Sequence, residues 1–589
     1  MDRPPTPPAV AVPDPPPSPG EPNKVTVTIR QAIDHAVHHR EAGRLAAAER
    51  ICRQVLAVVP SWIPALNELG SVLRERGRPA DAIPVLERAI AIDPLNATLQ
   101  VYLGGVLRIL HRLEEAAACY RRAIELAPDL VQAHTGLGST LSALGRIREA
   151  VRCYRQALAV DPTHVPALNQ LAMTLTLTVH RKECAALFER VLAARPNSAD
   201  AIANLAHARQ FLCDWREYDA LNLRLERAIA SGNQPATPFA LLGLPLDEAA
   251  LLKNARRYAT RQIIQPERAL VRRREGNALG REGRLTIGYF SSDFRNHPMC
   301  VLLPEIFELH DRARFRVLAF SFGDDDGSPM RARAVRAVDR FIDLEGASHT
   351  AAAQAILDED VDILIDRNGY TRHARTPVLS LRPAPIQVNY IGFPGTMGAD
   401  FIDYIIVDPV VVPPDRQPSY TERLVHLPEC YQPNDRQRRV APETPSRTDC
   451  GLPERGFVFC CFNSLFKITP DIFALWMRLL RAVPGGVLWL LAGHPAAATN
   501  LRQGALAHEV DPSRLVFAPR LALDRHLARH RVADLFLDTM PYNAHTTASD
   551  ALWAGLPVIT MLGRTFGSRV AASLLMAVAL PGLVTHSLA

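Results

Sequence analysis

An α-helical solenoid followed by two doubly wound α/β lobes is the fold class this sequence predicts, and three observations carry it. Pro60, Pro94, Pro128, Pro162 and Pro196 stand 34 residues apart. Gly70, Gly104, Gly138, Ala172 and Ala206 share that spacing, as do Ala48, Ala82, Ala116 and Ala150. From residue 284 the pattern changes, and short β-branched runs alternate with helical segments.

The elements follow in order. Residues 1–22 hold ten prolines and little that could build a core, so 1–24 are expected to be a disordered tail, partly polyproline II. Across 25–230, small residues at fixed points let two antiparallel helices cross closely, and each proline ends the second helix of a unit. That is the tetratricopeptide pattern, helix–turn–helix units stacked into a superhelix whose concave groove binds partners. The register breaks at CDWREYDALNLRLERA from residue 213, and 231–283 read as a helical connector. Its basic stretch RRREG (272–276) is read as a solvated helix face rather than a nucleic-acid site.

Strands are expected at RLTIGYF (284–290), FRVLAFSF (315–322), VDILIDRNG (361–369), PIQVNYIGF (385–393) and FIDYIIVD (401–408). A second set is expected at FVFCCFNS (457–464), VLWLLAG (487–493), RLVFAP (514–519), ADLFLDT (533–539) and LPVITM (556–561). Nearly continuous apolar strands alternating with helices mean parallel sheets covered on both faces. The polar, proline-containing stretch 433–455 divides them into lobes at 284–432 and 456–589. Ligands of such sheets bind at the carboxyl ends of the strands.

Composition narrows the function class. Lys and Arg number 67 against 61 Asp and Glu, a net charge of +6 over 589 residues, which gives no argument for nucleic acid or an anionic membrane. The ten cysteines form no C-x-x-C pair, and most are read as buried reduced thiols. The N-terminus lacks a signal pattern and the longest apolar runs are strand-sized, so a cytoplasmic location is expected. No phosphate-loop, serine-hydrolase or zincin motif occurs.

Three motifs lie just beyond strands. SSDFRNHP (291–298) places Asp293, Asn296 and His297 in a turn, either as a site or as local turn hydrogen bonds. In FNSLFKITPD (462–471), Thr469 reads as a helix N-cap with Pro470 at the first helical position. Lys467 then adds like charge to the positive helix end, which calls either for a bound anion or for a lysine pointing into solvent. In PYNAHTTASDALWAG (541–555), Thr547 and Asp550 have capping-box spacing, leaving the amides of Thr547 to Ser549 at a strand end, where an anion could bind. A capping box does not explain His545. Asp324, Asp325 and Asp326 lie in a glycine-flanked loop without a further acidic or histidine cluster, which argues against a metal site.

Together, SSDFRNHP, NGYTRHAR (368–375), LRPAPIQ (381–387), GFPGTMGADFIDYIIVD (392–408), FNSLFKI, HTTASDALWAG and SRVAASLL (568–575) behind such repeats resemble the O-linked N-acetylglucosamine transferase family, the SPINDLY-like or family-41 glycosyltransferases. The resemblance implies a GT-B fold of two Rossmann-like lobes. It also implies an inverting, metal-independent transfer of GlcNAc from UDP-GlcNAc to Ser or Thr hydroxyls, with no cofactor besides that donor. Lys467 is similar to the lysine on the donor diphosphate, and His545, Thr546 and Thr547 to the donor-binding turn. Asp550 is similar to the ribose-binding acid, His526 to the histidine packed on uracil with Arg529 beside it, and His297 to a catalytic histidine near sugar and acceptor. Protein or peptide acceptors would bind through the tetratricopeptide groove.

The family's luminal asparagine ladder is replaced by Glu68, Tyr102, Gly136 and Gln170, with Asn204 alone retained. The second lobe reads as shortened, with uncovered apolar surface expected near its end. Two other readings stand beside this one: a GDP-fucose-dependent protein O-fucosyltransferase, and a tetratricopeptide scaffold with an inactive enzyme half.

Overall fold

The computed structural model describes residues 9–11, 26–176, 180–232, 234–264 and 283–588. The chain forms two compact units, Met1–Thr174 with Ile264–Ala269, and Leu175–Ile263 with Leu270–Ala589. The basic stretch 272–276 and most of the proline-rich tail lie outside the described residues. Within that tail, β1 (Ala9–Ala11) pairs antiparallel with β2 (Thr26–Thr28), so these three residues are strand where composition predicts disorder. Pairing supplies the backbone hydrogen bonds that this short apolar run cannot make locally.

In the first unit, helices come in pairs: Ile29–Glu41 with Leu45–Val58, Ile63–Glu75 with Pro79–Ile92, Ala97–Ile109 with Leu113–Leu126, and Val131–Ala143 with Ile147–Val160. Pro60, Pro94, Pro128 and Pro162 each follow the end of a second helix, where a missing N–H and fixed φ stop helix growth. Contact explains the small-residue lattice. A Cβ on Gly70 would lie 2.9 Å from Leu86 Cδ2, and one on Gly138 would lie 2.7 Å from Tyr154 Cε1. In these two pairs the second helix drives a large side chain against the backbone of the first.

The positions of the expected luminal ladder are otherwise occupied. Glu68 accepts from Arg40 Nε at 2.8 Å. Gly136 carries no side chain because the Tyr120 ring fills its space. In the second unit, Asn204 turns its Nδ2 back onto the Asp200 carbonyl at 2.9 Å. Gly136→Ala is expected to overpack this site and cost about 1–3 kcal/mol. Denaturant unfolding would check it against Gly105→Ala, whose new Cβ meets nothing nearer than Tyr120 Oη at 3.6 Å and should be tolerated.

The second unit opens with the helices Arg181–Ala194, Ala199–Phe211, Tyr218–Ser231, Pro238–Leu241 and Glu248–Thr260. Its first sheet contains β3 (Leu285–Ser291), β4 (Phe315–Ser321), β5 (Arg340–Asp343), β6 (Ile363–Asp366), β7 (Ile386–Asn389), β8 (Tyr404–Val407) and β9 (Arg423–His426), in the order β5-β4-β3-β6-β7-β8-β9. Its second contains β10 (Val458–Cys461), β11 (Val487–Leu491), β12 (Leu515–Ala518), β13 (Leu535–Leu537), β14 (Val558–Met561) and β15 (Val584–Thr585), in the order β12-β11-β10-β13-β14-β15. Every pairing in both sheets is parallel. Strand order reverses between β3 and β6 and again between β10 and β13, and the crevice outside those carboxyl ends is where doubly wound sheets bind ligands.

The sequence pattern locates the central strands, and β10 is buried along its whole length. It does not locate β5, β9 or β15. These short strands lie at sheet edges with partly exposed side chains, so they lack the continuous apolar run that marks a central parallel strand. No helix among the described residues is long and apolar enough to cross a membrane. Near the end of the second lobe, Met576, Val578 and Leu580 are exposed.

Candidate functional site

The residues singled out by sequence gather at the two reversal points. Beyond β13, Asp538 closes the turn that leads to His545. Its carboxylate accepts from the amides of Thr539 and Ala544 at 2.7 and 2.6 Å, and from Thr560 Oγ1 at 2.6 Å. Thr539 Oγ1 donates to the Tyr542 carbonyl at 2.7 Å and accepts from Asn463 Nδ2 at 2.8 Å. A helix, Thr546–Trp553, leaves this turn.

Lys467 reaches the same turn from beyond β10. Its Nζ donates to the Asn543 carbonyl at 2.6 Å and lies 3.7 Å from the centre of the Tyr542 ring. Burial pushes the ammonium pKa down, and the Asp538 carboxylate pulls it partly back. Burial raises the Asp538 carboxyl in turn. Thr469 caps the following helix and Pro470 opens it, as the sequence indicates. The lysine is therefore neither in solvent nor idle against the helix end: it is a buried cation aimed at a backbone carbonyl.

The capping box at Thr547 is overturned. The helix begins two residues earlier, with His545 as its N-cap and no side-chain cap bond. Thr547 Oγ1 instead donates to Asn463 Oδ1 through a short hydrogen bond, and Asp550 pairs with Arg438 at 2.6 Å. Partners 84 and 112 residues away outcompete the local bonds. The His545 carbonyl accepts from Ala548 and Ser549, so the amides left without a helical acceptor are those of Thr546 and Thr547. His545 is half-buried and neutral, its pKa pushed down by desolvation and by Lys467, and its Nε2 is 3.2 Å from the Gly567 carbonyl. A carbonyl only accepts, so Nε2 carries the proton.

His526 packs 5.3 Å from the Phe462 ring, and burial with the neighbouring His530 and Arg529 lowers its pKa to about 3. Arg529 does not face the open crevice. It is 1% exposed, donates to the Pro519 carbonyl at 2.6 Å and to His526 Nδ1 through a short contact, and lies 4.4 Å over Phe462. It holds His526 in place.

His297 stands apart, on the first lobe beyond β3. It caps the short helix Pro298–Leu302, its Nδ1 accepting from the Met299 amide at 3.3 Å with Asp293 Oδ2 at 3.7 Å. Burial lowers its pKa. Since the amide is a fixed donor, the neutral ring carries its proton on Nε2. Asp293 is held by Asn368 Nδ2 at 3.2 Å, from beyond β6. The acidic loop anchors this turn: Asp326 accepts from the Asn296 amide at 2.7 Å. Among the described residues, no group of three or more His, Cys, Asp or Glu side chains is placed to hold a metal.

Asn463, Asp538, Tyr542 and Arg438 belong to the site and are not singled out by sequence. Asp538 and Asn463 carry a usable signal, a polar residue just past an apolar central strand. Tyr542 also ends an aromatic stack: His207 and Phe211 lie 4.8 and 4.9 Å from Phe466, which lies 5.9 Å from Tyr542. The helix Ala199–Phe211 thereby braces the turn that carries Lys467.

Residues 212–443 and 436–589 match Glycosyl transferase family 41, and residues 33–94 and 95–163 match tetratricopeptide repeats. The chain is 37% identical over 401 residues to a protein of Arabidopsis thaliana called probable UDP-N-acetylglucosamine–peptide N-acetylglucosaminyltransferase SEC, covering 65% of this chain and 41% of that one. It is 28% identical over 508 residues to the Caenorhabditis elegans UDP-N-acetylglucosamine–peptide N-acetylglucosaminyltransferase, covering 64% and 43%. A Petunia hybrida relative named SPINDLY is 32% identical over 323 residues, covering 53% and 34%. These matches span less than half the length of the curated relatives. Among solved structures, a mutant of the Thermobaculum terrenum O-GlcNAc transferase superposes with a TM-score of 0.50 at 26% identity, covering 95% of this chain and 87% of that one.

Proposed function

Since the chain belongs to glycosyl transferase family 41, we propose that it transfers GlcNAc from UDP-GlcNAc to Ser or Thr hydroxyls of proteins, with inversion and without a metal. The observation that carries this reading is a buried ammonium, Lys467, held on the turn that opens the helix Thr546–Trp553, whose Thr546 and Thr547 amides have no helical acceptor, at the reversal point of the second sheet. A cation and a helix N-terminus converging on one crevice suit a diphosphate. As the acceptor hydroxyl attacks the anomeric carbon, the C–O bond to UDP breaks and negative charge grows on the leaving phosphate. Fixed donors there stabilise the transition state more than the ground state.

In this reading Thr546 and Thr547 contact the phosphates, His545 shapes the donor turn, Asp550 holds the ribose, and His526 packs on the base with Arg529 behind it. His297 serves the sugar and acceptor side. With its proton on Nε2 it acts as a hydrogen-bond donor that orients, so in-line positioning contributes more than a strong base there. Acceptor proteins bind along the repeats without an amide ladder. The ten free cysteines suit a reducing, cytoplasmic location.

Thermal unfolding with added nucleotide tests the donor. UDP at a hundred times its dissociation constant is expected to stabilise by about 2.7 kcal/mol, and GDP far less. Stabilisation by GDP alone would replace this reading with O-fucosyl transfer.

A further inference from the structure

Arg438 lies between β9 and β10, in the segment joining the lobes, with its side chain only 2% exposed. Nη1 donates to Asp550 Oδ1 at 2.6 Å, and Nη2 to Asn434 Oδ1 at 3.2 Å and Ser549 Oγ at 3.3 Å. The guanidinium carbon stands 5.0 Å over the Trp553 ring, and the Arg438 carbonyl accepts from Trp553 Nε1 at 3.3 Å. One residue thus grips three positions on the helix Thr546–Trp553. The same segment is fastened to the first lobe: Asp435 accepts from Arg333 at 2.6 and 3.1 Å, and Arg436 pairs with Glu305 at 2.6 Å.

We propose that Arg438 is a positioning residue for the donor: it fixes the Asp550 carboxylate so that its second oxygen meets the ribose hydroxyls, and it sets the donor helix in register with the first lobe. The inference rests on the reading of Asp550 as the ribose ligand. Asp550 Oδ1 is taken by Arg438, while Oδ2 has no partner among the described residues. A buried carboxylate without its arginine would be costly to keep ionised and free to turn away.

Calorimetric binding of UDP and of 2′,3′-dideoxy-UDP to the full chain, its Arg438→Gln variant and its Arg438→Lys variant tests this. The parent is expected to prefer UDP by about tenfold or more, the value of hydrogen bonds to a charged group. Arg438→Gln should lose that preference, bind the dideoxy analogue within about twofold of the parent, and lose transfer through donor KM more than through kcat. Arg438→Lys, which keeps one charged donor, should fall between, and it carries the comparison if the glutamine variant does not fold. A parent that binds both nucleotides equally overturns the ribose reading of Asp550. A parent that discriminates, with variants discriminating equally, overturns the role of Arg438 alone.

Discussion

Lys467→Met is expected to lower transfer by about 10²–10³-fold, the loss seen when one fixed donor to a developing anion is removed. The fold should survive, because Asp538 keeps its three uncharged donors within 2.7 Å. UDP-dependent stabilisation should fall with activity. Initial rates of UDP-GlcNAc hydrolysis and of transfer to peptide measure the effect, and equal residual rates in parent and variant would favour a scaffold over an enzyme. The charge state adds a pH signature. The ammonium is the low-pH form, and burial lowers its pKa. Its charge is therefore lost at lower pH than an exposed lysine would lose it, and kcat/KM should fall on the alkaline side correspondingly early. A bound diphosphate favours the charged form, so the same limb in kcat should lie at higher pH. Lys467→Met should abolish both.

Asp538→Ala is expected to be the most destabilising single change at the site. It strips the amides of Thr539 and Ala544 and the Thr560 hydroxyl of their acceptor, and it leaves Lys467 buried without a counter-charge. Leaving a buried donor without its acceptor costs about 1–3 kcal/mol, and three donors lose theirs here. Denaturant unfolding monitored on the second unit should register it. Asp538→Asn, which keeps an acceptor oxygen for the two amides, should recover part of the stability but not the lysine's charge, so folding and donor binding should separate in that variant.

Legibility differed by element. Lys467, Thr469 and Pro470 were readable because a strand, a cap and an unfavourable like charge stand within a few residues. Asp538 was readable in principle, as a polar residue closing an apolar strand. Arg438 was not, since an arginine in a polar linker looks solvated until the helix that buries it is brought alongside. Thr547 and Asp550 misled for the same reason: their spacing satisfies a local cap, yet stronger partners arrive from distant segments.

Local pattern by itself determined the repeat, the parallel strands and the lobes, because helix crossing, chain reversal and strand burial depend on residues a few places apart. It also determined that His297, Lys467 and His545 lie beyond strand ends. Only the tertiary structure decided which hydrogen bonds those residues make. It turned Thr547 to Asn463, Asp550 to Arg438 and Arg529 beneath His526. A buried polar group must find a partner or bear its full desolvation cost, and which partner comes within reach is a property of the fold rather than of neighbours in sequence.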